Sequence, residues 1–179
     1  MSDAAVADRY ARAIFELGVE SGQLDSLSKQ IANAAQVYGE SAELRAVLDN
    51  PLVAEEAREA VLRELSTRLG LNETATNALR LIARRRRLSV LGDIARRLGA
   101  LSDEKAGIVR ATVVTAVPLP EDIYTQLKSK IEAHTKKRVV LDRKQDPSLI
   151  GGIVTHIGDN TIDGSIKGRL DRLTRELLA

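Results

Sequence analysis

The side chains that most often do chemistry are scarce in this sequence. It has two histidines, His134 and His156, and no cysteine among its 179 residues. His134 falls at the polar end of a predicted helix and His156 in an alternating strand, so both are interpreted as structural or surface residues. Without cysteine there are no disulfides or thiolate metal sites, and neither HExxH nor GxSxG occurs. The sequence therefore predicts no catalytic residue, no metal site, no cofactor and no small-molecule substrate.

Two further features resemble ligand sites. Gly151-Gly152 is reminiscent of a phosphate loop but lacks the GxxxxGK[ST] spacing and precedes a strand, so it is interpreted as a bulge or a close backbone approach. Arg84–Arg87 is a run of arginines that would suit nucleic acid or an acidic partner, or would form the solvated end of a helix. The net charge is only +2 and aromatic residues make up 2%, which favours the helix end. No nucleic-acid binding is predicted.

The elements that carry these residues differ between two regions. Hydrophobic residues make up 44% of the chain and charged residues 29%, which is typical of a folded protein with an aliphatic core. Residues 1–105 show a helical period and predict a six-helix bundle. The predicted helices run from Asp3 to about Gly22, through Leu24–Tyr38, through Leu44–Leu48, through Ala57–Leu69, from Asn72, and from Leu88 to Leu101.

Residues 106–179 predict a small α+β domain, which makes the fold class mainly α. Strands are expected at Ile108–Val117, Arg138–Leu141, Gly152–Ile157 and Thr161-Ile162, with a hairpin turn at 158–160. A helix is expected to begin at Glu121-Asp122, and a final one carries Ile166, Leu170, Leu173 and Leu177.

The final helix is expected to begin at a sharp turn. Asp163 or Ser165 can accept a hydrogen bond from a free amide of its first turn. Gly164 between them is expected to need a positive φ. Gly151, Gly152, Asp163, Gly164 and Ser165 together are predicted to form a structural motif of this domain.

The first and fifth helices are apolar over an arc of roughly 200°, about twice what one core contact requires. Deep burial in a large core would explain such arcs, but a bundle of about 100 residues has little interior. The alternative is a surface groove that receives a helix of another protein. The helical wheels alone do not separate the two.

Several strings resemble one family, the delta subunits of F-type ATP synthases, to which the oligomycin-sensitivity-conferring protein also belongs. The resemblance covers nearly the whole chain in order. It departs before Arg87-Leu88, where this chain has extra arginines. The strings are Tyr10-Ala11-Arg12-Ala13-Ile14-Phe15, Arg87-Leu88 with Leu91 and Ile94, Val114-Thr115-Ala116-Val117-Pro118-Leu119, Asp146-Pro147-Ser148-Leu149-Ile150-Gly151-Gly152-Ile153, Ile157-Gly158-Asp159 and Ile162-Asp163-Gly164-Ser165-Ile166-Lys167-Gly168-Arg169-Leu170.

The resemblance implies a non-catalytic stator subunit that joins the catalytic head to the peripheral stalk. The N-terminal domain would bind N-terminal helices of alpha subunits, and the C-terminal domain would bind the C-terminal ends of b subunits, on the cytoplasmic face of a bacterial inner membrane. The family's groove lies between the first and fifth helices, which favours the groove over deep burial. Ile14, Phe15, Leu79 and Ile82 are expected in the core. The groove wall is expected to consist of Val6, Tyr10, Ala13, Leu17, Ala78 and Leu81.

Overall fold

The protein is described here from a computed structural model, which covers residues 2–157, 160–168 and 170. The chain divides into two compact units, Met1–Ser102 and Asp103–Ala179. Helices make up the described part of the first unit, and the second combines helix with a small four-stranded sheet. The predicted mainly helical class with a smaller α/β part is confirmed.

Three helices of the first unit begin at a residue whose side chain caps the helix. Ser2, Ser41 and Asn72 each accept a hydrogen bond from an amide in the first turn that follows, which satisfies one of the free donors of a helix start. The helices are α1 (Asp3–Glu20), α2 (Leu24–Glu40), α3 (Ala42–Leu48), α4 (Glu55–Arg68), α5 (Glu73–Arg84) and α6 (Leu91–Lys105).

One aliphatic core joins these helices. Helix α2 lies centrally, because it packs against α1, α3 and α5. Aliphatic side chains of α2, α5 and α6 are almost fully buried, and burial of apolar surface stabilises the fold by about 25 cal/mol per Å². These are Leu27, Ile31, Leu79, Ile82, Leu91, Ile94 and Leu98.

Helices α1, α4 and α5 end in the same hydrogen-bond pattern, in which two amides beyond the helix return to carbonyls of its last turn. Gly22 and Gly70 hold the left-handed position after α1 and α4, with φ of 65° and 62°. After α5 this position is taken by Arg86, at φ 53°. A residue with a Cβ in this conformation costs roughly 1 kcal/mol, so the arginine run terminates α5 at a conformational cost.

The predicted start of the sixth helix at Leu88 is wrong. Leu88–Val90 forms a single turn of 3-10 helix, and α6 begins at Leu91. Leu88 and Val90, which belong to this short turn, are buried in the core. Leu88 therefore continues the aliphatic spacing of α6 without being part of that helix.

The sheet of the second unit is mixed. Its strands are β1 (Ile108–Thr115), β2 (Arg138–Gln145), β3 (Ile153–Ile157) and β4 (Asn160–Asp163), in the spatial order β2-β1-β3-β4. Strands β1 and β2 are parallel and the other pairs antiparallel. Helix α7 (Glu121–Thr135) connects β1 to β2 and packs on β2. Its Ile131 joins Ala111 and Val139 in a small core.

Strand β2 is longer than predicted. The expected end at Leu141 followed from the change to exposed, charged side chains, but pairing with β1 continues until Gln145 lies opposite Thr115. The ladder is made by backbone groups, so a polar edge strand can extend without an apolar pattern. The expected turn at 158–160 falls partly outside the described residues, and Leu173 and Leu177 lie outside them. Residues 166–168 and 170 are helical.

The first unit is expected to fold alone. A fragment of residues 1–105, which includes all of α6, should unfold cooperatively on heating, because the core described above lies within it. Far-UV circular dichroism of the fragment would test this. A fragment that stays disordered would show that the first unit depends on the second.

Arg86→Gly is expected to stabilise the protein by about 0.5–1 kcal/mol, because glycine adopts the left-handed conformation without a Cβ penalty. Urea unfolding measures the change in the free energy of unfolding. Arg86→Ala is the matched control, since it removes the same charge and keeps the Cβ. Equal stabilisation by both variants would assign the effect to charge repulsion instead.

Candidate protein-binding site

The sequence-predicted site residues of α1 fall on one strip of its surface. Leu17 is 48% exposed, Ala13 is exposed, and Tyr10 is half-buried with its side chain against the core. At 100° per residue these three lie within about 60° of one another. The strip is therefore apolar yet open to solvent.

Val6, the fourth residue predicted for this strip, is corrected to the core. It is 4% exposed and belongs to the buried cluster. Asp3 and Arg87 form an ion pair at 3.7 Å, which brings the start of the Leu88–Val90 turn beside the first turn of α1. This extra segment accounts for burial at the start of α1 that helical periodicity cannot indicate.

Helix α5 carries a matching strip. Leu81 is 51% exposed, and Ala78 is half-buried against the core. The inner face of the same helix is formed by buried Ala75, Leu79 and Ile82. On α1, Ile14 is likewise buried and Phe15 packs partly against the core, as expected for residues of the inner face.

Helices α1 and α5 run antiparallel, which two polar contacts establish. At one end the Asp3–Arg87 pair joins the start of α1 to the segment after α5. At the other end the side-chain amide of Asn72, the residue that caps α5, donates to the side-chain oxygen of Gln23, just beyond α1, at 3.2 Å. The two apolar strips are thus carried by neighbouring antiparallel helices of the same core.

Large apolar side chains are rarely exposed elsewhere in the first unit. Among its described residues, the large hydrophobic side chains that are exposed are Leu17, Leu52 and Leu81. Two of them belong to the strips. A solvent-facing apolar surface of this kind is typical of a site for another protein.

An ionic contact between α1 and α6 was not predicted. Asp8 accepts from Arg12 and from Arg97, each at 2.7 Å, and the two guanidinium groups, that of Arg12 first, hold the pKa of the Asp8 carboxyl below its usual range. The i,i+4 spacing of Asp8 and Arg12 could have indicated the first pair. The second could not be read from the sequence, because Arg97 is brought to α1 only by tertiary packing.

The arginine run is exposed, and its ends are paired. Arg84 lies 3.2 Å from Glu55, and Arg87 contacts Asp3. Arg85 is the residue that ends α5, and Arg86 adopts the left-handed conformation. The run therefore forms the end of the helix, as the charge argument favoured.

Two backbone segments of the second unit meet at Gly151-Gly152. Gly152 has φ 86°, and a Cβ there would lie 2.6 Å from the carbonyl oxygen of Gly164 and 2.7 Å from the Cα of Ser165. At Gly151 a Cβ would meet the end of the Ile166 side chain at 2.8 Å. The pair is thus a place of close backbone approach.

The turn opposite these glycines is held by side-chain caps. Asp163 accepts from the amide of Ser165 at 2.8 Å, and the Ser165 hydroxyl accepts from the amide of Gly168 at 2.9 Å. The expected positive φ at Gly164 is wrong, because that conformation belongs to Gly152 instead. Gly164 is constrained by space, since a Cβ would lie 3.1 Å from the carbonyl oxygen of Ile153.

The two histidines lie in different elements of the second unit. His156 Nδ1 lies 2.9 Å from the Thr161 hydroxyl on the neighbouring strand, and His134 is exposed near the end of α7. In residues 2–157, 160–168 and 170, no group of three or more His, Asp or Glu side chains could hold a metal ion. Nor is any helix in that part of the chain both long and apolar enough to cross a membrane.

The chain thus consists of a helical unit with an exposed apolar surface, followed in sequence by a small α/β unit. Comparison with known proteins specifies the family. The model of the ATP synthase delta (OSCP) subunit family matches residues 6–177. The chain therefore belongs to this family, whose members are non-catalytic components of the peripheral stalk, or stator, of ATP synthase.

Individual relatives agree over almost the full length. The chain is 38% identical to ATP synthase subunit delta of Myxococcus xanthus, covering 99% of this chain and 98% of the relative. It is 37% identical to that of Geotalea uraniireducens, covering 97% and 96%. A chain in the cryo-EM structure of the Toxoplasma gondii mitochondrial ATP synthase hexamer has the same fold, with a TM-score of 0.75, 24% identity and 97% coverage of both chains.

Gly152→Ala is expected to lower the free energy of unfolding of the second unit by more than about 2 kcal/mol, because the new Cβ would collide with backbone atoms and not with a movable side chain. Hydrogen exchange of the β1 and β3 amides during urea unfolding measures the loss.

Gly107→Ala is the matched control for this prediction. Gly107 also has a positive φ, 64°, but a Cβ there meets nothing within 4 Å, so the expected loss is only about 1 kcal/mol. Equal losses at both glycines would show that the close approach at Gly152 contributes nothing.

Proposed function

We propose that this chain holds the catalytic head of a bacterial ATP synthase to its peripheral stalk through two separate binding surfaces. In this proposal the first unit is a six-helix bundle that binds the N-terminal helices of alpha subunits. The second unit binds the C-terminal ends of the b subunits. The chain would then lie at the cytoplasmic face of the inner membrane as a peripheral part of the complex.

The exposed apolar strips of α1 and α5 carry this proposal. Leu17 and Leu81 are each about half exposed, although the unit already has a well-buried core. Together with Ala13 and Ala78 they form an apolar surface. Because the alanine side chains are small, the backbone of another helix can approach this surface closely. We name the strips formed by Tyr10, Ala13, Leu17, Ala78 and Leu81 the α1/α5 groove.

Helix geometry supports one shared groove. Each strip lies about 100° from the buried face of its own helix, and the rotation has the same sense in both helices. In antiparallel neighbours such strips lie either both on the facing sides or both on the outer sides. The facing arrangement makes a single groove that one helix can fill, and we propose that arrangement.

The second unit also offers apolar surface to a partner. Ile150 is 72% exposed, and Ile166, whose side chain reaches Gly151, is 47% exposed. Ile150 has φ 61°, a conformation that a β-branched residue rarely adopts. A partner that covers these side chains would offset the cost of exposing them, which supports a second binding surface on this unit.

Such a connector fits the mechanics of the enzyme. The rotor exerts torque on the catalytic head during proton-driven synthesis, and the stator must keep the head from turning. This requires tight, extended contacts on both sides and no reacting group. Buried apolar anchors supply most of the binding energy of contacts of this kind.

Ala13→Asp is expected to weaken binding of a peptide from the alpha-subunit N-terminus by orders of magnitude. An unpaired carboxylate against an apolar helix costs several kcal/mol. The melting temperature of the free protein should barely change, because Ala13 is exposed and the new carboxylate stays hydrated. Calorimetric titration and melting curves measure the two effects.

Ala32→Asp is the matched control, since Ala32 is also exposed in the middle of a helix but lies outside the groove. It should bind the peptide with unchanged affinity. Full-strength binding by a well-folded Ala13→Asp protein would remove this face from the interface.

A further inference from the structure

The α1/α5 groove has charged ends of opposite sign. On α5, Arg85 follows Leu81 by one helical turn and lies on the same strip as Ala78. On α1, Glu20 follows Leu17 by three residues and lies at the outer edge of that strip. Both charged side chains are exposed.

The antiparallel arrangement puts these charges at opposite ends. Arg85 is at the end of α5 that lies beside the start of α1, as the Asp3–Arg87 contact shows. Glu20 is at the end of α1 that lies beside the start of α5, where Asn72 donates to Gln23. Helical rise sets the distance between the two ends at about 15–22 Å, which corresponds to about ten to fifteen residues of a bound helix.

Neither charge is neutralised within the described part of the unit. Two other arginines of the same run form ion pairs: Arg84 pairs with Glu55, and Arg87 pairs with Asp3. No ion pair among the described residues involves Arg85 or Glu20. Asp3, the acidic residue at the Arg85 end, already contacts Arg87.

We propose that this polarity fixes how the partner helix lies in the groove: its carboxylate-bearing end lies beside Arg85, and its lysine- or arginine-bearing end lies beside Glu20. The inference rests on the proposed function and adds the chemistry of the occupant. That occupant is an amphipathic helix of about three to four turns, with small or aliphatic side chains on its buried face and opposite charges at its two ends. Apolar contacts hold the helix, and the end charges select its orientation and register.

A double-mutant cycle tests the polarity. The probe is a synthetic peptide of the alpha-subunit N-terminus. Two altered peptides accompany it: in the first, the carboxylates at one end are changed to amides, and in the second, the cationic residues at the other end are changed to glutamine. Each is titrated against the full chain and against Arg85→Gln and Glu20→Gln.

Arg85→Gln should weaken the original peptide about three- to tenfold at ~0.02 M salt and much less at ~0.5 M, where screening is strong. The peptide without carboxylates should bind Arg85→Gln and the unaltered chain equally well. Glu20→Gln should behave in the same way toward the peptide without cations. Arg63→Gln is the control, because Arg63 is an exposed residue of α4 and its loss changes the net charge equally.

Ala13→Asp in the same series separates the two proposals. If Ala13→Asp abolishes binding while Arg85→Gln has no more effect than Arg63→Gln, the groove is the binding site but the proposed polarity is overturned. Coupling of the peptide's carboxylates to Glu20 instead of Arg85 would also overturn it. If Ala13→Asp binds at full strength, the groove is not the interface and both proposals fail.

Discussion

The burial of the inner faces of α1 and α5 in one aliphatic core is the constraint on which the first unit depends. Ile14, Leu79 and Ile82 are almost fully removed from water, and this burial fixes the rotation of both helices. Once the rotation is set, a second apolar strip on each helix must face outward. The exposed surface is therefore a geometric consequence of the core.

Small residues make this arrangement possible. Ala11 and Ala75 are completely buried, and they allow the helices to lie close to their neighbours without large side chains between them. At Gly18 a Cβ would come within 2.9 Å of Leu24, so α1 and α2 are joined by a tight turn. A core built with so few aromatic side chains relies on such close packing to gain dispersion contacts.

The second unit is organised by backbone contacts more than by its core. Among its described residues, the buried hydrophobic cluster consists of Ala111, Ile131 and Val139. The approach of Gly152 to Gly164 and Ser165, and the caps from Asp163 and Ser165, fix the connection from β4 to the helical residues that follow. This explains the glycines at 151–152 and the short residues Asp163, Gly164 and Ser165 of the turn opposite them.

The sequence by itself determined the helical and strand-forming regions, several helix ends and the apolar strips of α1 and α5. These follow from local rules: the period of apolar residues, the caps at Ser2 and Asn72, and the glycines at Gly22 and Gly70. Family resemblance added the role, which no single residue could have indicated.

Only the tertiary structure decided features that depend on distant segments. Val6 is in the core because the segment after α5 lies beside the start of α1. Arg97 reaches Asp8 from a helix far along the chain. The positive φ belongs to Gly152 and not Gly164, and the close approach of these two glycines arises only when β3 and β4 pair. Periodicity reports which way a side chain points on its own helix or strand, but what covers that side chain is set by elements that the local pattern does not contain.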